Sequence, residues 1–176
     1  MRLMPSKLDG VVLLEPEPHR DDRGFFCEAF NRRKLLEHGI DFPVEQVNVS
    51  MSLRAGTVRG MHYQADPHGQ QKLVRCLSGE ILDVVVDLRP ESPTYRKHAS
   101  FRLHAGDFKT VYVPLGCAHG YQALKDFSEI QYVVSGPWNR EAERGIQPTD
   151  PAAGIKWTLP VLGLNPRDAS WPLLEA

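Results

Sequence analysis

One short stretch gathers most of the residues that could do chemistry. Thr57 to Gln64, closed by Gln70 to Arg75, holds Arg59, His62, Tyr63, Lys72 and Arg75. Gly56 and Gly60 interrupt it, and Pro67-His68-Gly69 turns it. A strand kept for packing alone has no need of so many ionisable groups, so the stretch is expected to bind a ligand. A lone strand histidine is commonly a satisfied core group, but the neighbours of His62 change that reading. Histidine titrates near neutrality and can take a proton at physiological pH. A carboxylate on its other ring nitrogen would fix the tautomer and support the imidazolium. Lys72 offers a cation for a developing oxyanion, and a tyrosine facing it would return a proton. Base, cation and acid together suit proton abstraction next to a carbonyl.

Strand parity sets a condition on this site. On an ideal strand Arg59 and His62 face opposite ways. For both to meet one ligand, Gly60 must sit at a bulge or bend, or Arg59 must reach elsewhere.

The elements that position these residues read as strands. Fourteen glycines and fourteen prolines are scattered between short apolar segments, the texture of an all-β sandwich or barrel. Strands are expected at 10–14, 25–30, 44–53, 72–77, 81–88, 98–104, 108–114, 118–124 and 128–134. With the opening stretch this makes about ten. The pairs 98–104 with 108–114, and 118–124 with 128–134, read as hairpins. Residues 81–88 are nearly all apolar, which suits a strand buried on both faces. Residues 44–53 alternate, with Gln46, Asn48 and Ser50 opposite Val47, Val49 and Met51. The polar set faces either water or the mouth of a barrel. One short helix is expected over 33–38, capped by Asn31 and stopped by Gly39. Residues 136–143 read as a loop and 165–168 as a final turn.

Composition narrows the function classes. The chain of 176 residues has 41% apolar and 24% charged residues and a net charge of −1. That balance suits one globular domain over 1–176 and gives no electrostatic support to nucleic-acid or membrane-surface binding. No apolar run approaches the roughly 20 residues that span a bilayer, and the N-terminus lacks the apolar core of a signal peptide. Cys27, Cys76 and Cys117 are odd in number and widely spaced, as for free thiols in a reducing cytoplasm.

Gly56 to His62 and Pro114-Leu115-Gly116-Cys117-Ala118-His119 resemble the two halves of the cupin barrel signature. The implied fold is an all-β, antiparallel cupin-type barrel (jelly roll) with short peripheral helices. Metal-binding cupins carry a second histidine where this chain has Gln64, and no glutamate follows before Glu80. Two histidines and a glutamine are a poor divalent-metal set, so no metal or other cofactor is expected. A metal-dependent cupin using His62, Gln64, His68 and His119 remains the less favoured reading.

A wider set of motifs follows in order. It runs through Asp22-Arg23-Gly24-Phe25-Phe26, Gln46 to Ser50, Arg59 to Gln64, Lys72 to Arg75, Gly79-Glu80, Asp83 to Arg89, Ser92-Pro93-Thr94, Pro114 to Gly120, Tyr132, Glu143 to Ile146 and Asp150-Pro151. Together these resemble the dTDP-4-dehydrorhamnose 3,5-epimerase (RmlC-type) family over nearly the whole chain. The resemblance implies that His62 is the base, Asp168 its paired carboxylate, Tyr132 the general acid and Lys72 the cation beside the 4-keto oxygen. It places Arg23, Phe26, Glu28, Gln46, Asn48, Arg59, His119, Trp138, Glu143 and Arg144 around a dTDP-sugar. It also implies a homodimer in which the N-terminal segment reaches the neighbouring barrel. Val133 stands where the family has lysine, and Trp138 where a tyrosine is common. These departures keep a mono-epimerase, acting at C3 or C5 only, as the alternative.

Overall fold

The structure is a computed structural model that describes residues 1–174; the last two positions of the expected domain lie outside the described residues. Its strands are β1 (Arg2–Pro5), β2 (Val12–Glu15), β3 (His19–Asp21), β4 (Gly24–Phe26), β5 (Gln46–Ser52), β6 (Val58–Gln64) and β7 (Lys72–Ser78). They continue with β8 (Glu80–Asp87), β9 (His98–His104), β10 (Thr110–Val113), β11 (Cys117–Ala123), β12 (Ser128–Val134) and β13 (Glu143–Gly145). Two short helices, α1 (Arg32–Leu36) and α2 (Pro166–Ala169), and one 3₁₀ turn (Pro151–Ala153) lie outside the sheets.

Two antiparallel sheets face each other. One has the order β1-β2-β10-β7-β12-β5, the other β13-β6-β11-β8-β9, and β3-β4 form a separate hairpin. From β5 to β13 the chain changes sheet at every step except β8 to β9, as in a jelly roll. The expected hairpins are corrected here. β9 and β10 lie in different sheets, as do β11 and β12. Their connections, 105–109 and 124–127, cross from one layer to the other. The crossing from β11 to β12 sets His119 opposite Tyr132, as that from β6 to β7 sets His62 opposite Lys72.

The expected strand at 81–88 has its reason in two cores. Ile81 and Val85 point between the sheets with Val74, Val111 and Ile130. Leu82, Val84 and Val86 point outward and are covered by Met61, Ile146, Ala153 and Trp157. A third cluster packs Leu35, Ile40 and Phe42 of the α1 region onto Leu14, Leu73 and Tyr112. Asn31 caps α1 by accepting from the Lys34 N–H at 3.1 Å. His38 falls beyond the helix, not in its last turn. The strand expected at 25–30 is reduced to Gly24–Phe26 within the small hairpin.

The alternation on β5 resolves in favour of the barrel mouth. Ser52 is buried and Ser50 half-buried, whereas Val47, Val49 and Met51 are exposed. Asn48, Ser50 and Ser52 therefore face inward, Gln46 is exposed at the end of the strand, and an apolar face of an edge strand looks outward.

Candidate active site

β6 solves the parity problem with a bulge. His62 lies opposite His119 and Arg59 opposite Tyr121. Three steps along β6 therefore match two along β11, which returns Arg59 to the face of His62. Gly60 sits at the irregularity with φ +127°, and a Cβ there would lie 2.5 Å from the Gly120 Cα. Only glycine has room for this approach.

Arg59, His62, His119 and Tyr121 then line one cavity of about 190 Å³ with Lys72, Tyr132 and Ser50 from the facing sheet and Asp168 from α2. Asp168 is buried. Its Oδ1 lies 2.7 Å from His62 Nε2, and its Oδ2 accepts from the Gly60 N–H at 3.1 Å. Asn165 caps the helix that carries it, accepting from the Asp168 N–H at 2.8 Å. Burial pushes the Asp168 carboxyl up, but the His62 hydrogen bond, the Gly60 N–H and Arg167 outweigh it and hold the group below its usual range. It is therefore an acceptor, so the His62 Nε2 carries a proton and Nδ1 is the basic nitrogen. The ring packs edge-on against Trp171 at 6.2 Å.

Lys72 donates to the His62 carbonyl at 3.0 Å. Burial lowers its pKa to about 8, with Asp83 and Glu143 resisting the fall. Burial and the nearby Tyr121 push the Tyr132 phenol up, opposed by Arg59. Tyr132 is thus protonated at neutral pH.

His119 makes a second histidine–carboxylate pair, with Nε2 2.6 Å from Asp83 Oδ2. Asp83 is fully buried, and its Oδ1 has no partner among the described residues. Sequence reasoning missed Asp83, although a carboxylate within Ile81-Leu82-Asp83-Val84-Val85-Val86 was its signal. Tyr121 was missed as well.

The other expected residues divide into four groups. Asn48 lies opposite Tyr132 on the inward face of β5, and Gln46 donates to Asn48 at 2.6 Å on the rim. Trp138 and Arg167 both donate to Glu143 Oε2, at 2.8 and 2.5 Å, so Glu143 ties the 137–143 segment to α2. Arg144 does not join the cavity: it lies opposite Tyr63, on the outer face, and its guanidinium donates to the carbonyls of Glu141 and Glu143. Arg23 and Phe26 project on the β3–β4 hairpin, with Arg23 paired to Asp21 at 2.6 Å and Phe26 70% exposed. Glu28 pairs with Lys34 at 2.7 Å. These three are not brought to the cavity of their own chain.

Gln64 has another use. It donates to the carbonyls of His68 and Pro137 and accepts from the Asn139 N–H. The side chain at the usual cupin metal position thus pins the turn and the loop at the barrel rim. Among the described residues no group of three or more His, Cys, Asp or Glu is arranged to hold a metal ion. No helix among them is long and apolar enough to cross a membrane.

The family model described as dTDP-4-dehydrorhamnose 3,5-epimerase matches residues 5–176. A relative of that name from Sinorhizobium fredii is 41% identical over 165 residues, 93% of this chain and 85% of the relative. A dTDP-4-dehydrorhamnose 3-epimerase from Streptomyces niveus is 38% identical over 175 residues, 99% of this chain and 84% of the relative. The crystal structure of the 3,5-epimerase from Bacillus anthracis, with TDP and PPi bound, superposes with a TM-score of 0.95 at 35% identity, covering 98% of this chain and 99% of that one. The chain belongs to the dTDP-4-dehydrorhamnose 3,5-epimerase family.

Proposed function

We propose that this enzyme inverts C3 and C5 of dTDP-4-dehydro-6-deoxy-D-glucose, giving dTDP-4-dehydro-L-rhamnose. One observation carries the reading: a histidine–aspartate pair on one sheet faces a lysine and a protonated tyrosine on the other, across one cavity. The C4 ketone acidifies the C–H bonds at C3 and C5. His62 Nδ1 takes the proton, and the negative charge moves to the C4 oxygen. Lys72 is the cation for that enolate, where a positioned charge in a dry site is worth on the order of 3 kcal/mol. Tyr132 returns a proton from the opposite wall, which inverts the carbon. Asp168 holds the His62 tautomer, and Asp83 does the same for His119 beside the enolate. The residues need no metal or redox cofactor for these steps. Loss of deuterium wash-in from heavy water in His62→Ala, and loss of inversion in Tyr132→Phe, test the two roles; wild-type exchange in the first or wild-type inversion in the second would remove that residue from the mechanism.

At about 190 Å³ the cavity is smaller than pockets that enclose drug-sized ligands. It suits the sugar, with the nucleotide lying over the rim near Gln46, Asn48 and Trp138. The TDP in the Bacillus anthracis structure supports a dTDP-sugar. We read the chain as one domain that works as a homodimer. The exposed hairpin bearing Arg23 and Phe26, with Glu28 beyond it, would complete the site of the second copy, and the outward apolar face of β5 supports such an assembly. Its three unpaired cysteines suit the cytoplasm. Inversion of one carbon only, the activity named for the Streptomyces niveus relative, is the second reading.

A further inference from the structure

A hydroxyl chain in the cavity wall has no part in the proton transfers above. Tyr121 is almost fully buried, yet it lines the cavity. Its hydroxyl crosses from β11 to the facing sheet, 3.1 Å from Ser52 Oγ and 3.4 Å from Ser50 Oγ. Ser52 Oγ also accepts from Arg59 Nε at 3.4 Å.

The protons in this chain have a direction. A guanidinium can only donate, so Ser52 is an acceptor toward Arg59. Ser52 is buried, and among the described residues the only other partner of its hydroxyl is Tyr121. A buried hydroxyl proton is normally used, so Ser52 donates to the Tyr121 oxygen. The phenolic proton must then point away from Ser52. Among the described residues its one remaining acceptor is Ser50, at the far limit of hydrogen-bond length. A strong donor is left facing the cavity with a weak partner.

We propose that Tyr121 is a specificity-determining residue whose phenolic O–H, directed by Arg59 through Ser52, donates to a ring hydroxyl of the bound deoxysugar. The inference rests on the proposed function, since it assumes a 4-keto sugar in this cavity. The neighbouring Tyr132 is the acid; Tyr121 reads the substrate and moves no proton in the reaction. A site built to bond a hydroxyl discriminates against the analogue that lacks it.

The test is C5 deuterium exchange in heavy water with three substrates: dTDP-4-keto-6-deoxyglucose and its 2-deoxy and 3-deoxy analogues. Tyr121→Phe removes one oxygen and keeps the ring. It is expected to lose about five- to tenfold in kcat/KM on the parent sugar, the worth of one hydrogen bond, and nothing on one of the two analogues. Ser52→Ala keeps the phenol but frees its direction, and is expected to show the same substrate dependence to a smaller degree. It decides the matter if Tyr121→Phe does not fold. Unchanged parent kinetics in Tyr121→Phe would overturn the proposal, as would an equal loss on all three substrates. Absence of exchange by the wild-type enzyme on the parent sugar would instead overturn the proposed function.

Discussion

The carboxylate of Asp168 lies 2.7 Å from the imidazole of His62, although 106 positions separate them in the chain. The link is made by a four-residue helix that docks on the bulge of β6, where the Gly60 N–H bonds the other carboxylate oxygen. Asp168→Asn keeps the shape but offers an amide N–H to Nε2, which reverses the tautomer. Exchange is expected to fall about 10³-fold, within the range for general acid–base catalysis, while the melting temperature changes little. Kinetics and a thermal melt on the same preparation check this.

Lys72 gives the pH dependence. Its free-enzyme pKa is about 8, so the ammonium is present below that pH and lost above it. The profile of kcat/KM is expected to fall on the basic side from about pH 8, and Lys72→Met to lack that limb. Stability runs the other way. Between about 8 and the ordinary lysine value of 10.5 the unfolded chain binds more protons than the folded one, so folding stability rises with pH. Lys72→Met is therefore expected to be more stable than wild type at pH 7, with the gap closing toward pH 10.5. Urea unfolding at several pH values measures it.

Gly60 joins fold and site. Gly60→Ala places a methyl group 2.5 Å from the Gly120 Cα, against backbone that cannot swing aside. A destabilisation of about 2 kcal/mol or more is expected. Exchange activity should fall with it, because the Arg59 and His62 side chains separate when the bulge relaxes. Denaturant midpoints and kcat/KM together check the coupling.

The proposed dimer is tested by mixing two inactive proteins. Arg23→Ala spoils the hairpin but keeps the barrel, and His62→Ala does the reverse. In a mixed dimer one barrel is intact and receives an intact hairpin. Unfolding and refolding the two together is expected to restore about a quarter of wild-type activity, from random pairing with one working site in half of the dimers. No recovery on mixing would mean that Arg23 serves its own chain; an active Arg23→Ala protein would mean that it serves none.

Much of this was legible in the sequence where chemistry and period act locally. Glycine and proline spacing, the apolar run at 81–88 and the Asn31 cap each carry their own reason, and the structure has all three. The exchange between sheets was not legible. A short connection such as 105–109 serves a hairpin or a crossing equally, and only packing of both layers decides. Asp83 was hidden because a single carboxylate in an apolar strand reads as tolerated until its histidine partner is known. Arg144 was expected at the site from the family resemblance, but strand alternation puts it and Glu143 on opposite faces. The bulge at Gly60 was legible as one of two options, since otherwise Arg59, of wrong parity to His62, had to reach elsewhere.

The central claim is that one cavity deprotonates and reprotonates both carbons flanking the ketone. Proton NMR of dTDP-4-keto-6-deoxyglucose with the enzyme in heavy water tests it most directly. The account predicts deuterium at both C3 and C5 with formation of the L-sugar. Label at one carbon alone would contradict the double inversion, and no label at either would contradict the proton-transfer mechanism itself.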